Sequence, residues 1–236
     1  MSPARNRRSY DQYCGVARAL DVLGERWTLL IIRDLLPGPR RYGQLAEHLP
    51  GIGTDLLTAR LRLLEENGLV ERESVGGVGG GITYRLTDAG EQLRPLIAEL
   101  ARVGLRWIEE PAESTAHRDV VWALLTVSMY LSADEVPAEP IGITGTNDHL
   151  VLERDGHGVA VAYTDRPHAG VSLSGDDDSL LAVLSGHLEL PAAAVTVHGN
   201  RRVAQAWIHA IRKRLPAPLA APQVPRTRQR IERSVR

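Results

Sequence analysis

Apolar positions in the first half of the chain recur at helical spacing, in short runs cut by glycine and proline. Val16, Ala17, Leu20 and Leu23 share one face of a helix expected over Asp11–Leu23, near whose start lies Cys14. After Gly24 the run Trp27–Leu36 predicts a second helix with Trp27, Leu30, Ile31 and Leu35 inward, stopped by Pro37-Gly38-Pro39. Arg40-Arg41-Tyr42 opens a third, with Tyr42, Leu45 and Leu49 as its buried side. A Pro50-Gly51 turn then leads into Thr54–Asn67. On a helical wheel Leu57, Leu61 and Leu64 form its apolar stripe, widened by Leu56 and Leu63. The far arc carries Asp55, Thr58, Ala59, Arg62 and Glu66, with Thr54 at its edge. Arg60 falls inside the apolar arc and reads as structural, paired with a carboxylate.

Two strand-like runs follow, Leu69–Val75 and Ile82–Leu86, joined by the glycine-rich segment 76–81. Thr87-Asp88 caps a long amphipathic segment to Glu109, with Leu93, Leu96, Ile97, Leu100, Val103 and Trp107 on one face and a kink expected at Pro95. That face exceeds what one small domain covers, which predicts a contact between two copies. Segment 110–118 mixes proline, serine and charge and reads as a linker. Beyond it come a helix over Asp119–Leu131 and strands at Ile141–Thr146, Leu150–Glu153, Val159–Thr164 and Val171–Ser174. A helix starting at the Asp176–Asp178 triplet ends at Gly186, and strand Ala194–His198 leads to a last helix ending near Leu215.

Composition modifies this picture in a few places. The 236 residues carry a formal net charge of -1, so any nucleic-acid interface has to be local. Lys213 is the only lysine, and phenylalanine is absent. One cysteine excludes an intramolecular disulfide framework. No apolar run approaches the ~20 residues of a spanning helix, and no signal peptide opens the chain; a cytoplasmic protein that does not enter membranes is expected. Residues 1–10 read as a mobile basic end and 216–236 as a disordered basic tail.

The residues that carry chemistry lie around the Thr54–Asn67 helix. Arg62 can donate to a guanine edge or a phosphate, and Thr54 and Thr58 can bond either or set a methyl against thymine. Thr54 or Asp55 can instead cap the helix. Arg40 and Arg41, at the mouth of the preceding helix, suit a phosphate; Arg72 and Arg85, beside the glycine loop, do so less well. Cys14 has two readings, a reactive thiol with Arg18 one turn on, or a small apolar residue buried at the dimer interface. His149, His157, His168, His187 and His198 lack ligand spacing and the aspartate triplet lacks the pattern of a calcium loop, so no metal, cofactor or catalytic group is expected.

The stretch YCGVARALDVLGERWTLLIIRDLLPGPRRYGQLAEHLPGIGTDLLTARLRLLEENGLVERE, with YRLTDAGEQLRPLI after it, resembles the HxlR-type family of bacterial winged-helix regulators over roughly Tyr13–Trp107. The resemblance implies a homodimeric DNA-binding transcription factor of MarR-like winged architecture, with its terminal helices forming the dimer interface. It also implies that a cysteine at the place of Cys14 serves, in some members, as a sensor of electrophiles or oxidants. Tyr42 stands where the family usually has phenylalanine, and the wing tip lacks the usual arginine. The stretches VSLSGDDDSLLAVLSG and VTVHGNRRVAQAWI are similar to the sterol-carrier-protein fold, which implies a helix-covered antiparallel or mixed sheet around an apolar pocket. Trp122, Leu125, Met129, Leu184, Trp207 and Ile211 would then line it.

The expected protein is therefore α+β. A winged helix-turn-helix domain (11–109) and a linker (110–118) precede a sterol-carrier-like domain (119–215). The expected function is a homodimeric regulator, more readily a repressor, on a pseudo-palindromic operator in double-stranded DNA, with a small hydrophobic effector in the second domain. Two alternatives stand beside it: a thiol switch through Cys14, and a lipid carrier or enzyme with an inherited wing fold.

Overall fold

A computed structural model describes residues 9–76, 81–104, 107, 118–156, 158–190 and 194–215. Residues 1–8 of the mobile end expected at 1–10, the wing tip 77–80, most of the linker, His157 and the tail 216–236 lie outside the described residues. The chain divides into two compact units, Met1–Ala101 and Arg102–Arg236.

In the first unit, helix α1 (Gly15–Leu23) starts later than the periodicity predicts, because Cys14 is extended and Asp11 takes φ 51°. Ser9 and Tyr10 are not loose: the Ser9 hydroxyl and the Tyr10 N–H donate to Asp21 at 3.0 and 2.9 Å. Helix α2 (Thr28–Leu35) excludes Trp27, which takes the left-handed φ of 80°. The helix buries Thr28, Ile31, Ile32 and Leu35, and Leu30, expected inward, is exposed.

Arg40–Arg41 forms a short strand, β1, where the sequence suggested the start of a helix. It pairs antiparallel with β3 (Gly81–Leu86), which pairs on its other side with β2 (Val70–Val75), giving the sheet order β1-β3-β2. Helices α3 (Tyr42–His48) and α4 (Thr54–Glu66) lie between β1 and β2 in the chain. Leu57, Leu61 and Leu64 of α4 are at most 1% exposed, which fixes the back of that helix against its own unit.

Thr87 caps α5 (Asp88–Glu91) by accepting from Gly90 N–H, and its hydroxyl donates to the Gly68 carbonyl at 2.6 Å. The expected long helix is broken here, and α6 (Arg94–Gly104) begins afresh one residue before Pro95. Proline is tolerated there because first-turn N–H groups have no intrahelical partner. Arg94 ties this start to the Leu36 carbonyl at the end of α2.

The second unit wraps a five-stranded sheet, order β6-β5-β4-β7-β8, formed by β4 (Ile141–Thr144), β5 (His149–Arg154), β6 (Val159–Thr164), β7 (Ser172–Ser174) and β8 (Thr196–His198). All pairs are antiparallel except β4 with β7, so the sheet is mixed. Helices α7 (Val120–Ser128), α8 (Asp177–Ser185) and α9 (Arg201–Arg214) share one apolar core with it. Asp119, Asp176 and Asn200 cap the three helices through their side chains, and Gly186 ends α8 at φ 87°. Asp177 is structural as well, accepting from the N–H groups of Val120 and Thr146.

Four expected pocket residues are packing residues. Leu125, Leu184, Trp207 and Ile211 are at most 2% exposed, and Trp207 also donates its indole N–H to the Glu139 carbonyl at 2.9 Å. Leu184, Trp207 and Ile211 belong to the continuous core of sheet and helices. Trp122 and Met129 are half-buried.

Glu135, in the turn after α7, accepts from Arg214 and Lys213 at the end of α9. These bonds, Arg214 first, and the Ser132 N–H hold its carboxylate from the ordinary 4.5 down to about 2. A depressed folded pKa stabilises above the unfolded value, and the gain is lost as pH falls toward about 2. On acidification from pH 4.5 to about 2, urea midpoints should therefore fall more steeply for the wild type than for Glu135→Gln; parallel curves would exclude the staple as a pH-dependent contribution.

Candidate nucleic-acid interface

The α3–turn–α4 unit and the two-stranded β2–β3 wing surround one exposed surface, the outward arc of α4. Thr54, Asp55, Thr58, Ala59 and Arg62 are all exposed. Neither Thr54 nor Asp55 caps the helix: the N-cap is Gly53, which has no side chain to offer, and Thr54 is already within the first turn. Both side chains are thus left on the surface.

The arginines around this arc differ in what they touch. Arg60, 17% exposed in its side chain, pairs with Glu25 at 2.8 Å and donates to the Arg26 carbonyl at 3.3 Å. This is the structural role its place on the wheel suggested. Arg40 corrects the sequence expectation. Because β1 is a strand, successive side chains point to opposite faces; Arg40 turns inward and is 3% exposed, while Arg41 turns out. The buried guanidinium donates to His48 Nε2 at 3.3 Å, so Arg40 supports α3 from within rather than facing a phosphate.

Arg72 pairs with Glu65 at 2.6 Å, and Arg85 with Glu71 and Glu73 at 2.5 and 2.6 Å. Their charge is largely matched inside the wing and the end of α4. Arg62 and Arg41 have exposed side chains, and neither pairs with a carboxylate among the described residues. They are two uncompensated cations flanking the arc. Arg41 also ends its own backbone need locally, its N–H donating to Gln44 Oε1 at 2.8 Å.

A contact that sequence reasoning missed lies in the same place. The Tyr42 hydroxyl donates to the Thr54 carbonyl at 2.8 Å, and the Thr58 hydroxyl sits 3.4 Å from the Tyr42 oxygen. The only signal in the sequence was the extra hydroxyl of Tyr42 itself. Cys14 is exposed at the start of α1. Arg18, expected to bear on the thiol, pairs with Asp21 at 3.2 Å.

In the second unit the histidines bond locally, His149 with Thr144, His187 with Ser185 and His198 with Ser174. No cluster of three metal-ligating side chains occurs among the described residues. No described helix is long and apolar enough to cross a membrane.

The comparisons with known proteins bear on the first unit. Residues 22–112 match the model of the HxlR-like helix-turn-helix family. The transcriptional regulator sll1512 of Synechocystis is 35% identical over 97 residues, which are 41% of this chain and 72% of that protein. Regulator Mb3122 of Mycobacterium bovis is 45% identical over 96 residues, 41% of this chain and 60% of that protein, so less than two thirds of the mycobacterial protein is spanned. Among solved structures, the reduced form of the regulator YodB from B. subtilis has 32% identity, with 42% of this chain and 99% of that chain covered and a TM-score of 0.37. The Synechocystis and mycobacterial proteins are both named as transcriptional regulators. Through residues 22–112 this chain belongs to the HxlR-like helix-turn-helix family and is a transcriptional regulator of that type.

Proposed function

We propose that the chain acts as a homodimer on a pseudo-palindromic operator, with α4 of each copy in a major groove and Thr54, Asp55, Thr58 and Arg62 facing the bases. The half-sites would lie about 34–36 Å apart along the duplex, or a multiple of that. The observation that carries this is the pair of uncompensated cations, Arg62 on the arc and Arg41 at its edge, beside a helix whose back is clamped by leucines and by Arg60–Glu25. A chain of net charge -1 attracts DNA only where charge is left unmatched. Arg72 and Arg85 would contribute after giving up their glutamates, and Arg40 is withdrawn. Repression fits best, since a bound dimer occludes a promoter directly.

The dimer reading is supported by apolar side chains that the first unit leaves uncovered. Val16 and Leu20 on α1 are 69% and 43% exposed, and Leu96 and Leu100 on α6 are 40% and 43% exposed. For the second unit we infer a sterol-carrier-like layout, supported by its mixed sheet under helices. Trp207 itself is closed off in the core, and a hydrophobic effector in this unit would act only by binding two arrangements of the protein with different affinity. The exposed thiol of Cys14 favours one further reading, release from DNA on oxidation or alkylation.

Fluorescence anisotropy on a selected operator over a salt series tests the interface. Arg62→Ala should cost about 1–3 kcal/mol of binding with relaxed base preference, and Arg41→Ala should lower the salt slope by about one. Unchanged affinity and preference in Arg62→Ala would remove that residue from the interface. In sedimentation velocity the wild type should run as a dimer and the double variant Val16→Glu, Leu20→Glu as a monomer; a monomeric wild type at micromolar concentration would overturn the dimer. With Cys14→Ser, oxidant-induced release from the operator should vanish, and its persistence would exclude the thiol switch.

A further inference from the structure

The hydroxyl of Tyr42 joins two groups on the exposed edge of α4, and the protons of this small chain can be assigned from chemistry alone. The Thr54 carbonyl oxygen has no proton, so across the 2.8 Å contact the Tyr42 hydroxyl is the donor. That uses the single proton of the phenol. Toward Thr58, 3.4 Å away, the Tyr42 oxygen can therefore only accept, and the Thr58 hydroxyl donates to it. Thr58 has one hydroxyl proton, and this long contact directs it inward. What the exposed Thr58 oxygen presents outward is lone pairs.

We propose that Tyr42 is a specificity-determining residue that acts through Thr58: by accepting the Thr58 proton, it makes that hydroxyl an acceptor toward DNA. In the major groove the hydrogen-bond donors on base edges are the N6 amino group of adenine and the N4 amino group of cytosine. Guanine offers acceptors there, and thymine offers O4 and a methyl group. At one position of each half-site the strand facing Thr58 should thus carry adenine or cytosine. Arg62, one turn further along the same face, can only donate and so favours the opposite set of edges. The two side chains together give α4 an ordered acceptor–donor pattern, and Tyr42 sets the first half of it. This inference rests on the proposed placement of α4 in the major groove.

Phenylalanine in place of Tyr42 keeps the ring and removes the hydroxyl, both the acceptor for Thr58 and the donor to the Thr54 carbonyl. The Thr58 proton is then free to turn outward, and the hydroxyl can donate as well as accept. Thr58→Val keeps the shape and removes the hydroxyl altogether, leaving the Tyr42–Thr54 bond in place. Thr58→Ser keeps the hydroxyl and its partner.

The test is selection of duplexes from a randomised double-stranded library by the full-length chain, run in parallel for the wild type, Tyr42→Phe, Thr58→Val and Thr58→Ser. The position read by Thr58 is the one whose preference Thr58→Val flattens. There the wild type and Thr58→Ser should favour adenine or cytosine over guanine or thymine on one strand by about two- to ten-fold, the worth of one neutral hydrogen bond. Tyr42→Phe should admit guanine and thymine at that position and keep the preferences elsewhere. An unchanged preference in Tyr42→Phe, or no position flattened in Thr58→Val, would overturn the role of Tyr42 while leaving DNA binding intact. A wild type that enriches no sequence would overturn the DNA-binding reading, and this inference with it.

Discussion

The burial of Leu57, Leu61 and Leu64 is the constraint on which the rest of the first unit depends. With these three side chains essentially inaccessible, α4 can neither roll nor slide without exposing apolar surface, at roughly 25 cal/mol for each Å² returned to water. The opposite arc is thereby aimed outward at fixed orientation. Polar contacts then add direction to what burial holds: Arg60 reaches back to Glu25 and the Arg26 carbonyl, and Tyr42 grips the first turn at Thr54. None of these bonds would hold the helix alone, since part-exposed ion pairs of this kind are worth little. On a helix already seated by leucines, they select one rotation.

Charge is distributed by the same logic. The chain is close to neutral, and most arginines near the interface are consumed by structure: Arg40 inside, Arg60 at the back, Arg72 and Arg85 within the wing. Matching those cations leaves Arg41 and Arg62 as a small positive feature among compensated neighbours. Such a surface has little long-range attraction for nucleic acid in general, and its discrimination has to come from short-range geometry.

Elements governed by local rules were legible in the sequence. The leucine face of α4, the caps at Thr87 and in the aspartate triplet, and the glycine stop at Gly186 all depend on residues within one or two turns. The inward place of Arg60 was legible too, although its partner Glu25, far back in the chain, was not. Arg40 was misplaced because a two-residue strand has no periodicity of its own; only pairing with Thr83 and Tyr84 of β3 creates it. Leu125, Leu184, Trp207 and Ile211 were apolar under either account, and hydrophobicity does not distinguish the wall of a cavity from the middle of a core. That difference arises only when the sheet and three helices close around them.

The parallel pairing of β4 with β7 carries a consequence for the order in which the chain acquires structure. Gly142 meets Ser172 across a segment that contains the whole β5–β6 hairpin, and β8 meets β7 across α8. Closing such distant pairs costs chain entropy before any contact compensates it, so a sheet of this connectivity forms slowly. The first unit relies on short helices and an adjacent β2–β3 hairpin, and it leaves the ribosome first. The helix-turn-helix half is thus built from more local pairings than the second unit, whose sheet closes over longer stretches of chain.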